Sequence, residues 1–232
     1  MMYAVDYLTA ATRSLLSGRE AEASAEGKHV VVVGGGDTGN DCVGTALRQR
    51  CASVIQLEMM PMPPAERTQN NPWPEWPRIL RTDYGQQEAI FRQGSDPRIY
   101  ETTGKKILTD ETGGISALET VRLQRKAEGG LEPVPGSEHT LPCNLLLIAA
   151  GFTGCEEKTL DAFALKADAR GRLMPENGSH QVDGRIFSAG DMRTGQSLVV
   201  RALADGRSAA REIDASFFRT RAYRRENYLE TE

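Results

Sequence analysis

Three observations predict an α/β fold with parallel strands. His29-Val30-Val31-Val32-Val33 carries four consecutive valines, the pattern of a strand buried on both faces. A glycine-rich turn, Gly34-Gly35-Gly36-Asp37-Thr38-Gly39, follows it directly, and Asn40 to Arg48 then reads as a helix. Ser53-Val54-Ile55-Gln56-Leu57-Glu58 supplies a second strand, completing a strand–helix–strand unit of ordinary size.

The turn carries the chemistry. At a strand-to-helix junction the first helical amides have no internal partner, and the helix dipole adds positive potential, so a dinucleotide pyrophosphate can sit there. In Gly34-x-Gly36-x-x-Gly39 the three glycines would give a tight turn, close approach of backbone to pyrophosphate, and close packing of helix on strand. A glycine-rich turn made for packing alone is the competing reading; the flanking strand and helix favour the nucleotide. Candidate cofactor-binding residues are therefore Gly34, Gly35, Gly36, Asp37, Thr38 and Gly39. Glu58, about 20 residues past the turn at the end of the second strand, is placed to accept hydrogen bonds from the adenosine ribose, which favours NAD. Arg67, a little further on, is placed to pair with a 2′-phosphate, which favours NADP. The two signals conflict, and the choice between NADH and NADPH stays open.

Composition narrows the classes. The 232 residues allow one large or two small domains, and 39% hydrophobic residues suffice for a core. A net charge of -4 argues against nucleic acid or an anionic membrane as the main partner. Cys42, Cys51, Cys143 and Cys155 are scattered without metal-ligand spacing, so reduced thiols in a cytoplasmic protein are expected, with no iron–sulfur cluster. His29, His139 and His180 share no spacing either, and no metal site is expected. No apolar run is long enough to cross a bilayer.

Tyr3 to Leu8 is a short amphipathic piece leading into Thr9 to Ser17, with a polar, small-residue linker from Gly18 to Gly27. Met59 to Trp76 holds too many prolines for a helix interior or a central strand, and Asn71-Pro72-Trp73-Pro74-Glu75-Trp76-Pro77 contains both tryptophans. It reads as a rigid loop pinned to the surface by two indoles, or alternatively as a docking surface or a cover over the cofactor. Tyr100 to Leu147 alternates and is punctuated by glycine turns, the pattern of an antiparallel meander. Asn144 to Phe152 is again a buried strand, placing Ala150 and Gly151 at a strand's carboxyl end, where such ligands bind. Finally, Gly184 to Asp191 is a short strand ending in Gly190-Asp191, and Gly195 to Arg207 reads as a helix opened by polar residues. This arrangement suits FAD, with Asp191 accepting a ribityl hydroxyl and the amides at the helix start facing the pyrimidine side of the ring.

Three strings together carry a family resemblance: Gly34 to Cys42, Asn71 to Arg78, and Ala189-Gly190-Asp191-Met192-Arg193-Thr194-Gly195-Gln196-Ser197-Leu198-Val199-Val200. They resemble the small (beta) subunit of glutamate synthase from about Tyr3 to Phe217, and the tryptophan–proline string favours this family over relatives such as dihydropyrimidine dehydrogenase. The resemblance implies that NAD(P)H reduces FAD. Electrons would then pass through iron–sulfur clusters to a large subunit that forms glutamate. By position, Gly34, Gly36 and Gly39 would hold the nicotinamide cofactor, and Asp191 with Gln196, Ser197 and Leu198 would touch FAD. It further implies a Rossmann-like nucleotide-binding domain with a β-meander, inserted in a partial FAD-binding domain. On that scheme residues 1–27 are the tail of the first FAD half and a linker, 28–149 the NAD(P) domain, 150–217 the second FAD half and 218–232 a C-terminal tail.

The family's cysteine-rich domain and second glycine-rich ADP turn are not in this sequence, so the FAD site is expected to be incomplete and little flavin to be retained. No catalytic side chain is expected, because hydride transfer needs cofactors in contact rather than a protein acid or base. Glu156 and Glu157 read as helix-start carboxylates, and Arg219, Arg221, Arg224 and Arg225 as a solvated tail. Two other classes remain beside the oxidoreductase subunit: a nucleotide-binding module without turnover, and a docking fragment.

Overall fold

In the computed structural model, residues 1–19, 23–175 and 177–218 are described. The arginine-rich segment 219–232 lies outside them. The chain divides into two units, Met1–Gly151 and Phe152–Glu232.

The first unit is built on a five-stranded parallel sheet. Its strands are β1 (Met2–Tyr3), β2 (His29–Val33), β3 (Ser53–Leu57), β4 (Arg98–Ile99) and β9 (Leu145–Ile148), in the order β1-β9-β2-β3-β4. Each of the four pairings is parallel, and in the centre Val31 lies between Ile55 and Leu146. Helices α1 (Ala4–Ser17), α2 (Asp37–Arg48) and α3 (Tyr84–Gln93) complete the α/β part. Strands β5 (Thr102–Thr109), β6 (Ile115–Arg125), β7 (Leu131–Pro133) and β8 (His139–Pro142) form the antiparallel meander, with β6 pairing all three others.

The valine run explains the layering. Val30 and Val32 point to one face, where they meet Tyr7 of α1, Cys42, Val43 and Ala46 of α2, and Ala89 of α3. Val31 points to the other face and packs with Leu118 of β6, Leu141 of β8 and Cys143. The parallel sheet thus has helices on one side and the meander on the other, which is why its central strand has no polar face. Each such fully buried side chain contributes about 1.5–3 kcal/mol relative to exposure. Burial among these groups, with the charge of Asp41 nearby, pushes the Cys42 thiol up to about 12. The amino-terminal segment joins this unit as edge strand and helix. The buried Tyr7 hydroxyl donates to Gln49 at 2.9 Å, and Gln49 also accepts from the Ala25 amide.

Helix α3 is not legible from hydrophobic periodicity, although a capping box announces it: Asp83 accepts from the Tyr84 amide and the Gln86 side chain accepts from the Asp83 amide. Its Gly85 permits the close crossing of α2, since a Cβ there would stand 2.4 Å from the Asn40 carbonyl oxygen. A buried amide network runs under this crossing. Gln56, fully buried on β3, donates to the Gly34 carbonyl at 2.9 Å and accepts from the Gln86 side chain at 3.1 Å. Asn40 accepts from the Gln86 backbone amide at 3.1 Å.

The proline-rich segment between β3 and α3 has no helix or strand, as its composition predicts. Its two indoles do not pin it: Trp73 and Trp76 are 81% and 70% exposed. Asn71 holds it instead. That side chain is buried, donates to the Trp76 carbonyl at 3.0 Å, and accepts from the Arg78 amide at 2.8 Å. A short amide reaches the loop's own backbone, whereas an indole offers one donor.

In the second unit, α4 (Glu157–Ala162) is followed by an antiparallel pair, β10 (Gln181–Asp183) and β11 (Ile186–Phe187), then α5 (Asp191–Thr194) and α6 (Val199–Phe218). The expected helix from Gly195 therefore begins four residues later. Gly195 at φ 85°, ψ 163° terminates α5 in a conformation that cannot continue a helix.

Replacing Gln56 with leucine strands the Gly34 carbonyl and the Gln86 side-chain amide in a dry site. Gln56→Leu should cost about 2–4 kcal/mol, read as a lower urea midpoint with an unchanged slope.

Candidate functional site

The four glycines of the turn do different things. Gly34 has φ 125°, and a Cβ there would lie 2.2 Å from the Ala149 carbonyl oxygen, so the residue is demanded by the approach of β9. At Gly39 a Cβ would lie 2.2 Å from the Gly34 carbonyl oxygen, so this glycine seats the helix on the strand. A Cβ on Gly35 would overlap the Glu58 carboxylate. Gly36 is different: its backbone is extended, at φ -78° and ψ -175°, and a Cβ would meet nothing within 4 Å. Neither packing nor backbone strain within the unit requires a glycine there, and it stands as the N-cap of α2 with no side chain bonded to the first-turn amides. Unpartnered first-turn amides of this kind, with open space above them, suit an anion.

Beside this turn lies a cavity of about 350 Å³, within the range of small-molecule sites. Gly35, Gly36, Asp37 and Glu58 line it, so the structure brings the turn and the acidic residue together. Thr38 stands in the first turn of α2. Glu58 is half-buried, and its carboxylate accepts from the Met60 amide at 2.7 Å, leaving its other oxygen over Gly35. Three further lining residues carry no signal in the sequence: Arg81, Arg98 and Tyr100. Arg98 is spoken for: it pairs with Asp96 at 2.7 Å and donates to the Arg81 carbonyl at 2.7 Å. This hydrogen bonding holds the Asp96 carboxyl below the usual range. The Tyr100 hydroxyl oxygen is buried without a hydrogen-bond partner among the described residues. An orphaned hydroxyl, unpartnered first-turn amides and a free carboxylate edge fit a polar ligand with hydroxyl and phosphate groups.

Arg67 is not part of this cavity. It donates to the carbonyl oxygens of Asn71 at 3.2 Å and Glu75 at 2.8 Å, so its charge is used inside the proline-rich loop. Ala150 and Gly151 follow β9, next to the Ala149 contact with Gly34, and do not line the cavity.

The second unit has its own concavity, of about 650 Å³, lined by Asp191, Gly195, Gln196 and Arg172 among others. Asp191 is exposed there. Ser197 lines a smaller cavity with Gln196 and Arg201, and Leu198 is 62% exposed. What sets the turn is a buried polar group. The Gly190 amide donates to Asp205 at 2.8 Å, and Arg193 donates to the same carboxylate at 2.8 Å. His180, buried, contacts Asp205 through Nε2 at 3.1 Å and Glu212 through Nδ1 at 2.6 Å. The imidazole bond, with the His180 and Ser179 donors, draws the Glu212 carboxyl down to about 2. For Asp205 burial opposes ionisation, yet the Gly190 amide, His180 and Arg193 together hold it below its usual range. In the sequence His180 is an isolated residue, because its partners lie 25 and 32 positions away. Among the described residues no group of three or more His, Cys, Asp or Glu could hold a metal ion.

The contrast between the glycines is measurable. Gly34→Ala should lower stability by about 2–5 kcal/mol through clash and positive φ, while Gly36→Ala should cost less than about 1 kcal/mol, both by chemical denaturation. The acid response of the second unit is measurable too. Because the Glu212 carboxyl is depressed from 4.5 to about 2, its contribution is complete above its ordinary value and lost as pH falls toward 2. The melting temperature of the second unit should fall in that window, and Glu212→Gln should flatten the fall.

No family model matches the chain. Individual proteins do. The chain is 41% identical over 224 residues to a Schizosaccharomyces pombe glutamate synthase [NADH], a match covering 93% of this chain and 11% of that protein. It is 41% identical over 221 residues to the Bacillus subtilis glutamate synthase [NADPH] small chain, covering 91% of this chain and 44% of that one. The chain therefore spans less than half the length of these relatives. In structure it is similar to FprA, a Mycobacterium tuberculosis oxidoreductase, with a TM-score of 0.63 at 12% identity, over 94% of this chain and 59% of that one. That likeness establishes the fold. Along about nine-tenths of its length the chain is homologous to part of the glutamate synthase small chain.

Proposed function

We propose that this chain is the nicotinamide-binding part of a glutamate synthase-type oxidoreductase, in which NAD(P)H reduces FAD. The observation that carries the reading is Gly36: a glycine without a packing role, at a helix N-terminus, facing a cavity that also holds Glu58. The amides of the first turn of α2 would take the pyrophosphate, and Glu58 the adenosine ribose hydroxyls. In the second unit Asp191 would accept a hydroxyl of the flavin chain, and the residues before α6, Gln196 to Leu198, would turn that helix's positive end toward the ring. When bound, the nicotinamide would supply a hydride and the flavin would serve as its acceptor, with the residues of the glycine turn and Asp191 holding them. His180 and Asp205 act by holding the Gly190 amide, and with it the turn that presents Asp191.

On the same reading the chain works in the cytoplasm, as part of an assembly with a glutamate-forming large subunit to which electrons pass through iron–sulfur clusters held outside the described residues. Residues 28–149 would be an insertion in the flavin-binding domain, with 1–27 and 150–217 belonging to the latter. The names of the relatives, NADH in one and NADPH in the other, leave the reduced cofactor as NAD(P)H. One observation favours a second reading, a nucleotide-binding module without turnover: the glycine-turn cavity is lined wholly by residues of the first unit.

Titration with NADH and NADPH, followed by nicotinamide fluorescence, tests the first step. Saturable binding is expected for the unchanged chain, and loss of at least about tenfold for Gly36→Ala, whose methyl would fill the space above those amides. Absence of binding by both nucleotides would remove the proposal. The described residues hold one glycine-rich nucleotide turn, so the purified chain should carry well under one FAD per molecule by absorbance. NADH oxidation with added FAD and an electron acceptor separates turnover from binding alone.

A further inference from the structure

We infer that Arg81 is the group that reads the adenosine 2′-phosphate, so that the pocket takes NADPH through Arg81 and NADH through Glu58. The inference rests on the nicotinamide-binding reading above and assigns its selectivity. Among the cavity's lining residues the basic groups are Arg81 and Arg98. Arg98 is closed to a ligand phosphate, because its guanidinium is bonded at two points to Asp96, at 2.9 and 2.7 Å, and to the Arg81 carbonyl. Arg81 makes no salt bridge among the described residues.

It is nevertheless held in place. Its guanidinium lies over the Trp76 ring, 4.6 Å from the centroid, and its carbonyl is gripped by Arg98. The Trp76 backbone is anchored by Asn71, which donates to its carbonyl, while the indole itself is exposed. A planar guanidinium stacked on an indole keeps its N–H edge free for the bidentate geometry a phosphate offers. Glu58, Asp37 and Asp83 line the same cavity, so a 2′-phosphate entering it meets repulsion that an unpaired cation must offset. A ribose hydroxyl needs no such cation and is accepted by Glu58 directly. The tryptophan–proline string is, on this inference, the mount that holds the selectivity residue.

The test measures dissociation constants of NADPH and NADH for the unchanged chain and for Arg81→Ala, Arg81→Lys and Trp76→Ala, at low and high salt. Expected for Arg81→Ala is a fall of about tenfold in the NADPH-to-NADH affinity ratio, with a smaller fall for Arg81→Lys and for Trp76→Ala. NADPH binding should also be the more salt-sensitive of the two, and Arg81→Ala should remove that difference. Glu58→Gln should move the ratio the opposite way, toward NADPH. If Arg81→Ala leaves the ratio unchanged, or weakens both nucleotides equally, the inference is overturned while the nucleotide site stands. If the unchanged chain binds neither nucleotide, both fall.

Discussion

The buried Gln56 side chain is the interaction on which the first unit depends. It ties the carbonyl of Gly34, at the start of the glycine turn, to Gln86 of α3, and through Gln86 to Asn40 of α2. Strand β3, the turn and both helices are thus fixed to one another by side-chain amides in a region where water cannot substitute. A glycine turn has little stiffness of its own, since glycine explores more backbone conformations than other residues. Here the surrounding contacts supply the stiffness: Ala149 on one side of Gly34, the Gln56 amide below and Gly39 above. With the turn immobilised, Gly36 can remain open without becoming floppy.

Electrostatics divide the work in the cavity. The helix N-terminus offers partial positive charge, and the side chains around it are mainly acidic: Asp37, Glu58 and Asp83. On the proposed reading the pyrophosphate is held by backbone amides, which point to one place and bring no counter-charge, and a 2′-phosphate by Arg81. The side-chain cations do different jobs. Arg67 satisfies loop carbonyls and Arg98 clamps Asp96 and the Arg81 backbone, so both are structural.

The second unit uses ionised groups where the first uses amides. His180 hydrogen-bonds both Asp205 and Glu212, and Arg193 pairs with Asp205, within a few ångströms under the Gly190 turn. Such a group tolerates burial only while every member keeps its partner. It also makes the turn sensitive to acid in a way the amide network of the first unit is not.

Much of this is legible in the sequence because it is local. The valine run, the glycine turn, the second strand (which ends at Leu57, one residue short of Glu58) and the meander depend on neighbours in the chain and on side-chain periodicity, and they stand close to where those signals put them. Helix α3 escapes a reading by periodicity, capping box notwithstanding, because Gly85 weakens the helical pattern for the sake of packing on Asn40. Nearness in sequence to Glu58 points to Arg67 rather than Arg81, but which guanidinium is free depends on which carbonyls the loop presents.

The sequence by itself determined the α/β order, the place of the glycine turn and the family likeness, since these follow from residues a few positions apart. Only the tertiary structure decided that Gly36 is open while Gly34 and Gly39 are filled by neighbours. It alone put Arg81, Arg98 and Tyr100 around Glu58, and His180 against two distant carboxylates. The physical reason is that burial and charge pairing are properties of contacts between segments, and a linear pattern records the segments without their contacts.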